Sequence, residues 1–401
     1  MNMSSAEEAM KEEIKFEEYL AFTRSIKYCM LLCGIWPTGQ PGILDRVLSI
    51  LAITSTSTLS IVLLRFAFAN ITNISLMVRG FSLGTSYLSL ALKVILLTFH
   101  KKTVSALYTI LHKYHEEALA DKKLRSRVLE KITGFRRLSW IQTCLVISGS
   151  LMYSFMPIIF MIIQLRQHMQ PIKYILPLPA LYPWKIQPGG LLYKITYLFE
   201  MYNMLCMTTI TCGVDPLFGY FIFLITGQLR VLSYEMINIK PSDNHEEFIR
   251  QWMTKFQVLK DCCRKVQKIY GPIILWQVTT NAAVICTILF QISQGKGISV
   301  AKYVLILCYS GGKIVQTFIY SWAGTVLTNE SEALTESVYF SDWPEAERQR
   351  FRAIVLIILT QKPLKISAAN WIVVSNDLFV MTLNTAVSYF FLLKTVEEKQ
   401  S

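Results

Sequence analysis

Charge is scarce in this chain. Asp, Glu, Lys and Arg occupy 17% of its 401 positions while apolar side chains occupy 53%, whereas ordinary globular domains carry charge at roughly a quarter of positions. A mean hydropathy of +0.39 points the same way. This composition excludes a chain of soluble domains and indicates one integral membrane domain. Nor is a secretory leader expected. The opening "MNMSSAEEAMKEEIKFEEY" is acidic and amphipathic, with neither a basic n-region nor a short apolar h-region, so the first membrane helix is expected to act as its own insertion signal. The nine cysteines (Cys29, Cys33, Cys144, Cys206, Cys212, Cys262, Cys263, Cys286 and Cys308) sit in or beside apolar segments or in basic loops. That is no disulfide framework.

Catalytic signatures are absent too. There is no HExxH, no Gly-rich phosphate loop and no nucleophile elbow, so neither an enzyme nor a cofactor is expected. His112-x-x-His115 followed by Glu116-Glu117 could share a helix face as metal ligands. No third and fourth ligand stand nearby and the neighbours are basic, so a solvated helix face is the expectation, and no metal. Cys262-Cys263 is equally weak as a redox or zinc site. The net charge of +13 is dispersed over loops rather than gathered on one basic face, which argues against nucleic acid.

What the chain does have is seven apolar runs long enough to cross a bilayer, which takes about 20 residues. They fall near 43–66, 72–99, 137–165, 191–228, 269–293, 299–327 and 371–396. The fourth is long, carries Asp215-Pro216 as a kink signal, and is expected to project beyond the bilayer. The amphipathic segment 344–363 precedes the last run and is expected to form a helix closed by Lys362-Pro363. Lys and Arg orient the set. Loop 100–136 carries Lys101, Lys102, Lys113, Lys122, Lys123, Arg125, Arg127, Lys131 and Arg136. Loop 229–268 carries Arg230, Lys240, Arg250, Lys255, Lys260, Arg264, Lys265 and Lys268. The first, third and fifth loops (67–71, 166–190 and 294–298) carry few. The basic loops are expected in the cytoplasm, which puts the N-terminus inside and the C-terminus outside. That is the reverse of a G-protein-coupled receptor, and the Asp-Arg-Tyr and Asn-Pro-x-x-Tyr signatures of that class are also missing. The expected fold is thus an all-α membrane protein. A cytoplasmic segment spans 1–42, six transmembrane helices 43–327, a cytoplasmic linker and amphipathic helix 328–370, and a seventh transmembrane helix with a short tail 371–401.

Loop 166–190 contains five prolines with Tyr174, Tyr182 and Trp184, and is expected to pack on the helix ends as a lid rather than as a simple aromatic belt. On the other side, Val104, Leu107, Leu111, Leu119 and Leu124 recur at helical spacing, and 246–270 reads as an extension of the fifth span. Such extensions suggest an intracellular layer where subunits meet. Ionisable residues inside spans cost about 3 kcal/mol each and are functional suspects: Arg79, Lys93, Lys194, Glu200, Asp215, Lys313 and Asp377. Lys93 and Lys194 lie near expected helix ends and are discounted. Asp377, with Asn376, Asn384 and Ser388 on the last helix, fits a wet subunit interface or a pore wall. Asn70-Ile-Thr72 and Asn73-Ile-Ser75 are glycosylation sequons placed almost in the membrane, where modification is not expected.

The C-terminal third then becomes specific. Asn329-Glu330-Ser331 in a small-residue turn, Tyr339-x-x-x-Trp343, Gln361-Lys362-Pro363 and Ser388-Tyr389-Phe390 stand in an order and spacing that resembles the insect odorant receptor family. Trp36-Pro37 before the first span fits as well. The strong match covers 324–395. The resemblance implies an inverted seven-helix subunit in the plasma membrane of a sensory neuron dendrite. It also implies an odorant-gated, non-selective cation channel of four subunits, in which the last helices line a central pore. The chain looks like a tuning subunit that assembles with a coreceptor as a heterotetramer, because loop 229–268 lacks the coreceptor's long insertion. By the resemblance, Leu392 and Val396 match gate positions, an apolar ring that stops ions by dewetting. Thr395 stands where the coreceptor has an amide, and Lys394 departs from its apolar residue. With Asp377 and Ser388 these form the implied pore set.

For a small volatile organic ligand, the outer halves of the second, third, fourth and sixth spans should supply a mostly apolar pocket. Helical spacing nominates Met77, Gly80, Phe81 and Gly84; Gly149, Met152, Tyr153 and Met156; Met201, Tyr202 and Leu205; and Tyr309 with Ser310. A gustatory-type channel of the same fold is the alternative. A secondary transporter stands further off, since no internal repeat is visible.

Overall fold

The computed structural model describes residues 3–37, 42–169, 171–239, 245–293, 300–341 and 349–398. Eleven helices and one short hairpin occupy them: α1 Met3–Leu32, α2 Ile43–Ala69, α3 Ile74–Phe99, α4 Lys101–Ala120, α5 Lys122–Val128, α6 Ile132–Arg166, α7 Leu191–Ile237, α8 His245–Ser293, α9 Val300–Tyr339, α10 Gln349–Leu359, β1 Ser367–Ala368, β2 Ile372–Val373 and α11 Asn376–Glu398. Seven of them (α2, α3, α6, α7, α8, α9 and α11) are long and apolar enough to cross a membrane, and the chain is a multi-pass membrane protein. The fifth loop (294–298), Lys240, Trp343, the start of the amphipathic segment and Ser401 lie outside the described residues, as does the side chain of Val396.

Helix α7 is the central mast, and the most apolar stretch of it is wholly buried. Its sequence allows this because small residues recur along it. A Cβ on Gly213 would stand 2.9 Å from Met30 Cγ of α1, so only glycine admits α1 that closely. Pro216 lies inside α7 without ending it, as membrane helices tolerate when neighbours re-satisfy the freed carbonyl.

The N-terminal helix binds the basic loop region directly. Glu12 and Glu13 pair with Arg125, and Glu18 pairs with Arg136 and accepts from Thr133 Oγ1 at 2.6 Å. Acidic α1 therefore sits at the same end of the bundle as α4 and α5. Val104, Leu107 and Leu111 are buried there, with Leu119 and Leu124 half-buried. Helix α4 follows α3 after the single residue His100. The long extensions of α7 and α8 pack on each other, with Trp252 Nε1 donating to Leu232 O at 3.0 Å.

Several boundaries differ from the sequence reading. The turn expected at Asn329-Glu330-Ser331 falls inside α9, which runs on to Tyr339. Glu330 is neutralised there by Lys131 at 2.6 Å and Arg230 at 3.7 Å, and Ser331 Oγ accepts from Leu364 N, so these polar residues make tertiary contacts instead of ending the helix. The last span begins at Asn376 rather than 371. Residues 367–373 form a two-stranded antiparallel hairpin pairing Ser367 with Val373 and Ala368 with Ile372, and α8 clamps it through Gln267, which accepts from Ser367 N and donates to Asn370 Oδ1. The turn carries positive φ at Ala369 and Asn370.

His115 is not on a solvated face. It is fully buried, 4.8 Å from the Tyr19 ring and 5.6 Å from that of Phe223, and neither ring nitrogen has a hydrogen-bond partner among the described residues. Burial first, then the neighbouring His112 and Arg230, push its pKa down to about 3. All nine cysteines are free, and the described residues contain no group of three side chains placed to hold a metal.

Candidate functional site

Between α3, α6, α7, α8 and α9 lies an enclosed cavity of about 50 Å³ with mostly apolar walls. Leu83, Tyr87 and Leu90 form the α3 side; Val146, Gly149 and Tyr153 the α6 side; Met204 and Met207 the α7 side; Tyr309 and Gly312 the α9 side. Tyr309 is fixed by hydroxyl contacts to Ser86 Oγ at 2.7 Å and Ser82 O at 3.1 Å. An adjoining cavity of about 80 Å³ shares Leu83, Tyr153 and Tyr309 with the first and is also lined by Arg79.

The floor is polar. Lys93 of α3, 1% exposed, places Nζ 2.6 Å from Asp215 Oδ1 of α7, 0% exposed. Tyr320 Oη donates to the same oxygen at 2.5 Å, while Gln142 Nε2 and Gln316 Nε2 donate to Oδ2 at 2.9 and 2.6 Å. Gln277 of α8 joins by donating to Gln316 Oε1 at 2.8 Å. One carboxylate thus ties α3, α6, α7 and α9 together. A buried ion pair is tolerable only when its remaining polar sites are satisfied, and four donors saturate Asp215. Discounting Lys93 as near a helix end was therefore wrong: the residue lies inside the packed bundle, where its charge is matched from α7.

The structure brings together three of the thirteen nominated pocket residues, Gly149, Tyr153 and Tyr309, and places the others elsewhere. Gly80 and Gly84 face α2, where a Cβ would stand 2.9 Å from Phe66 Cδ1 and from Leu64 Cδ2 respectively. Their role is the close α2–α3 crossing, which Ser60 Oγ seals by donating to Gly84 O. Phe81, Met156 and Leu205 are exposed on the bundle's outer face. Met77, Met152, Met201, Tyr202 and Ser310 are half-buried outside the cavity lining. The cavity face of α7 is Met204, Met207 and Thr211, and that of α3 is Leu83, Ser86, Tyr87 and Leu90; the nominated residues sat on neighbouring faces. Lys93, Gln277, Lys313 and Gln316 were not nominated, although Lys93 and Lys313 were conspicuous as charges inside spans.

Loop 167–190 packs down on the bundle. Glu200 Oε2 accepts from Leu178 N at 2.9 Å and Oε1 from Tyr182 Oη at 2.8 Å, and burial with the facing Glu200 carboxylate pushes the Tyr182 pKa up. Asn73 of the second sequon is the N-cap of α3, accepting from Leu76 N, and Asn70 donates to Phe66 O. Lys194 is exposed.

On α11, Leu378, Thr382 and Ala386 are buried against the bundle. The opposite face is open, with a groove lined by Asp377, Met381, Asn384, Thr385, Ser388 and Tyr389, and Leu392 and Thr395 are exposed. Asp377 stands at the very start of the last span, in the first turn of α11, where a negative charge is favoured by the helix dipole.

The fold is that of a seven-helix membrane protein with an internal, mostly apolar cavity among its helices. A family model described as 7tm Odorant receptor matches residues 73–387, and the chain belongs to that family, one of receptors rather than enzymes. It is similar to odorant receptor 13a of Drosophila melanogaster, 24% identical over 239 residues that cover 55% of this chain and 57% of that protein. Odorant receptor 94a of the same organism is 29% identical over 213 residues, covering 51% and 54%. The odorant receptor coreceptor of Anopheles gambiae is 27% identical over 149 residues, covering 36% and 30%. The chain spans a little over half the length of the first two of these relatives. Its fold matches the olfactory receptor OR5 of Machilis hrabei with a TM-score of 0.77 at 14% identity, over 94% of this chain and 100% of that one; a structure of OR5 in complex with eugenol matches equally.

Proposed function

We propose that this chain is the odorant-tuning subunit of a ligand-gated, non-selective cation channel, assembled with a coreceptor in the plasma membrane of a sensory neuron. The observation that carries the reading is the enclosed cavity, apolar in its walls and polar at its floor, at the junction of five helices. Small volatile ligands need such a chamber, with few polar groups to orient them. The relatives that bear odorant receptor names, one of them a coreceptor, support the assignment.

The open face of α11 supports the pore. A helix with Leu378, Thr382 and Ala386 buried and Asp377, Asn384 and Ser388 exposed suits a water-filled axis better than lipid. Four such faces would meet around that axis, with Leu392 and Val396 as the apolar gate and Thr395 beside them. The charge asymmetry of the loops orients the subunit with its N-terminus in the cytoplasm, and the acidic α1 helix, paired with Arg125 and Arg136, keeps it beside the most basic loop. The helical extensions of α7 and α8 would then form the cytoplasmic layer through which subunits assemble.

The test is whole-cell recording from cells that co-express the chain with a coreceptor, challenged with a panel of volatile compounds. Ligand-evoked cation current that requires this chain is the expected result; saturable uptake without current would make it a transporter.

A further inference from the structure

The cavity floor holds more positive than negative charge. Asp215 is committed: its two oxygens accept from Lys93, Tyr320, Gln142 and Gln316, which fills the about four lone-pair sites a carboxylate offers. Lys313, 9% exposed, lines the same cavity. Its Nζ lies 5.8 Å from the centre of the Tyr309 ring, and among the described residues no hydrogen bond or ion pair engages it. The other buried carboxylate of α7, Glu200, is held by Leu178 N and Tyr182 Oη beneath the packed loop. Arg79, lining the adjoining cavity, adds a further cation nearby. A buried ammonium without its own anion is costly, and the one carboxylate of this floor, Asp215, is already paired with Lys93.

We propose that Lys313 is the recognition point for a small carboxylic acid. The carboxylate meets Lys313 Nζ, and the alkyl chain lies among Leu83, Val146, Tyr153 and Met204. This rests on the odorant-receptor reading of the cavity and narrows its ligand from a volatile to an acid. An acid that arrives as the anion meets the ammonium directly; one that arrives uncharged transfers its carboxyl proton to a neutral Nζ. Both routes end in the same ammonium–carboxylate pair. Amines are disfavoured by Lys93 and Lys313 together, and alcohols make only one neutral hydrogen bond. The cavity that Lys313 lines holds only about 50 Å³, well under the ~150 Å³ of an engineered cavity that holds benzene, so a short-chain acid is the size class to test.

The test is thermal stabilisation of the purified full-length chain in detergent by pentanoic acid, 1-pentanol and pentylamine, for wild type, Lys313→Met and Lys313→Arg, followed by current recordings on the same variants with the coreceptor. Pentanoic acid should act at least about tenfold more potently than 1-pentanol on the wild type. Lys313→Met should weaken the acid about ten- to a hundredfold while moving 1-pentanol by less than about threefold, and Lys313→Arg should restore the acid. An acid no better than the alcohol, or unaffected by Lys313→Met, overturns the proposal and leaves the receptor reading standing. If Lys313→Met does not fold, the wild-type ratio of acid to alcohol decides alone, and a ratio below about tenfold overturns the proposal. Absence of stabilisation and of current with all three compounds overturns this inference; the receptor reading falls with it only if the wider panel of volatile compounds also evokes no current.

Discussion

Replacing Asp215 by Asn should be the most damaging conservative change in the bundle. The carboxylate accepts from Lys93 at 2.6 Å and Tyr320 at 2.5 Å on one oxygen, and from Gln142 at 2.9 Å and Gln316 at 2.6 Å on the other. An amide keeps one accepting oxygen and turns an N–H₂ toward the other pair of donors. Gln142 can turn over to present its unpartnered Oε1, but Gln316 cannot without losing the 2.8 Å bond that its Oε1 accepts from Gln277. Lys93, 1% exposed, is left as an uncompensated buried charge. Breaking a buried pair from one side costs roughly 3–5 kcal/mol. Lys93→Met is milder because Asp215 keeps three donors. The double variant Lys93→Met/Asp215→Asn should be more stable than Asp215→Asn alone, with a coupling of about 1–3 kcal/mol. Unfolding of purified protein in detergent gives the full cycle. Asp215→Asn within about 0.5 kcal/mol of wild type, or strictly additive effects, would refute the idea that this node holds the helices together.

At the inner layer, His115 should make stability acid-sensitive. Its pKa is lowered to about 3 from 6.5, so the neutral form is favoured in the folded chain; the stability is fully present above pH 6.5 and is lost as pH falls from there toward 3. His115→Leu should flatten thermal stability over that window, and an unchanged slope would count against it. If α11 lines a pore as proposed, Leu392→Ser or Val396→Ser should raise ligand-free current by hydrating the closed ring. Lys394, about 100° around the helix from Thr395, should change conductance little on mutation to Gln; wild-type leak in both serine variants together with a large effect at Lys394 would mean the helix face is wrong. For topology, an epitope at Ser401 should stain intact cells, and staining only after permeabilisation would reverse the orientation.

The seven spans were legible because bilayer thickness imposes a length and a composition on each. Their ends were less so. Glu330 and Ser331 read as a turn, yet their charge and hydroxyl are satisfied by Lys131, Arg230 and Leu364 N, contacts made by segments distant in sequence. The hairpin at 367–373 is too short for a periodic signal. The site was legible in kind but not in phase. A helix that is apolar nearly all round does not announce which face meets a cavity, so spacing alone suggests Gly80 and Gly84 as pocket walls, whereas they face α2. Tyr153 and Tyr309 emerged because a large aromatic at that depth packs inward more often than outward. Lys93 and Asp215 each stood out, but a pair separated by 122 positions is decided by tertiary packing alone.

If ligand acts in the cavity between the helices, Gly312 is the position at which to show it. A Cβ there meets nothing within 4 Å, and the residue lines the cavity, so Gly312→Leu should fill the space without straining the backbone. Recorded with the coreceptor at matched surface expression, and using the most potent compound of the panel, Gly312→Leu should raise the half-activating concentration by at least about tenfold, the equivalent of about 1.4 kcal/mol of lost binding. A dose–response curve that overlies the wild type would place the ligand outside this cavity.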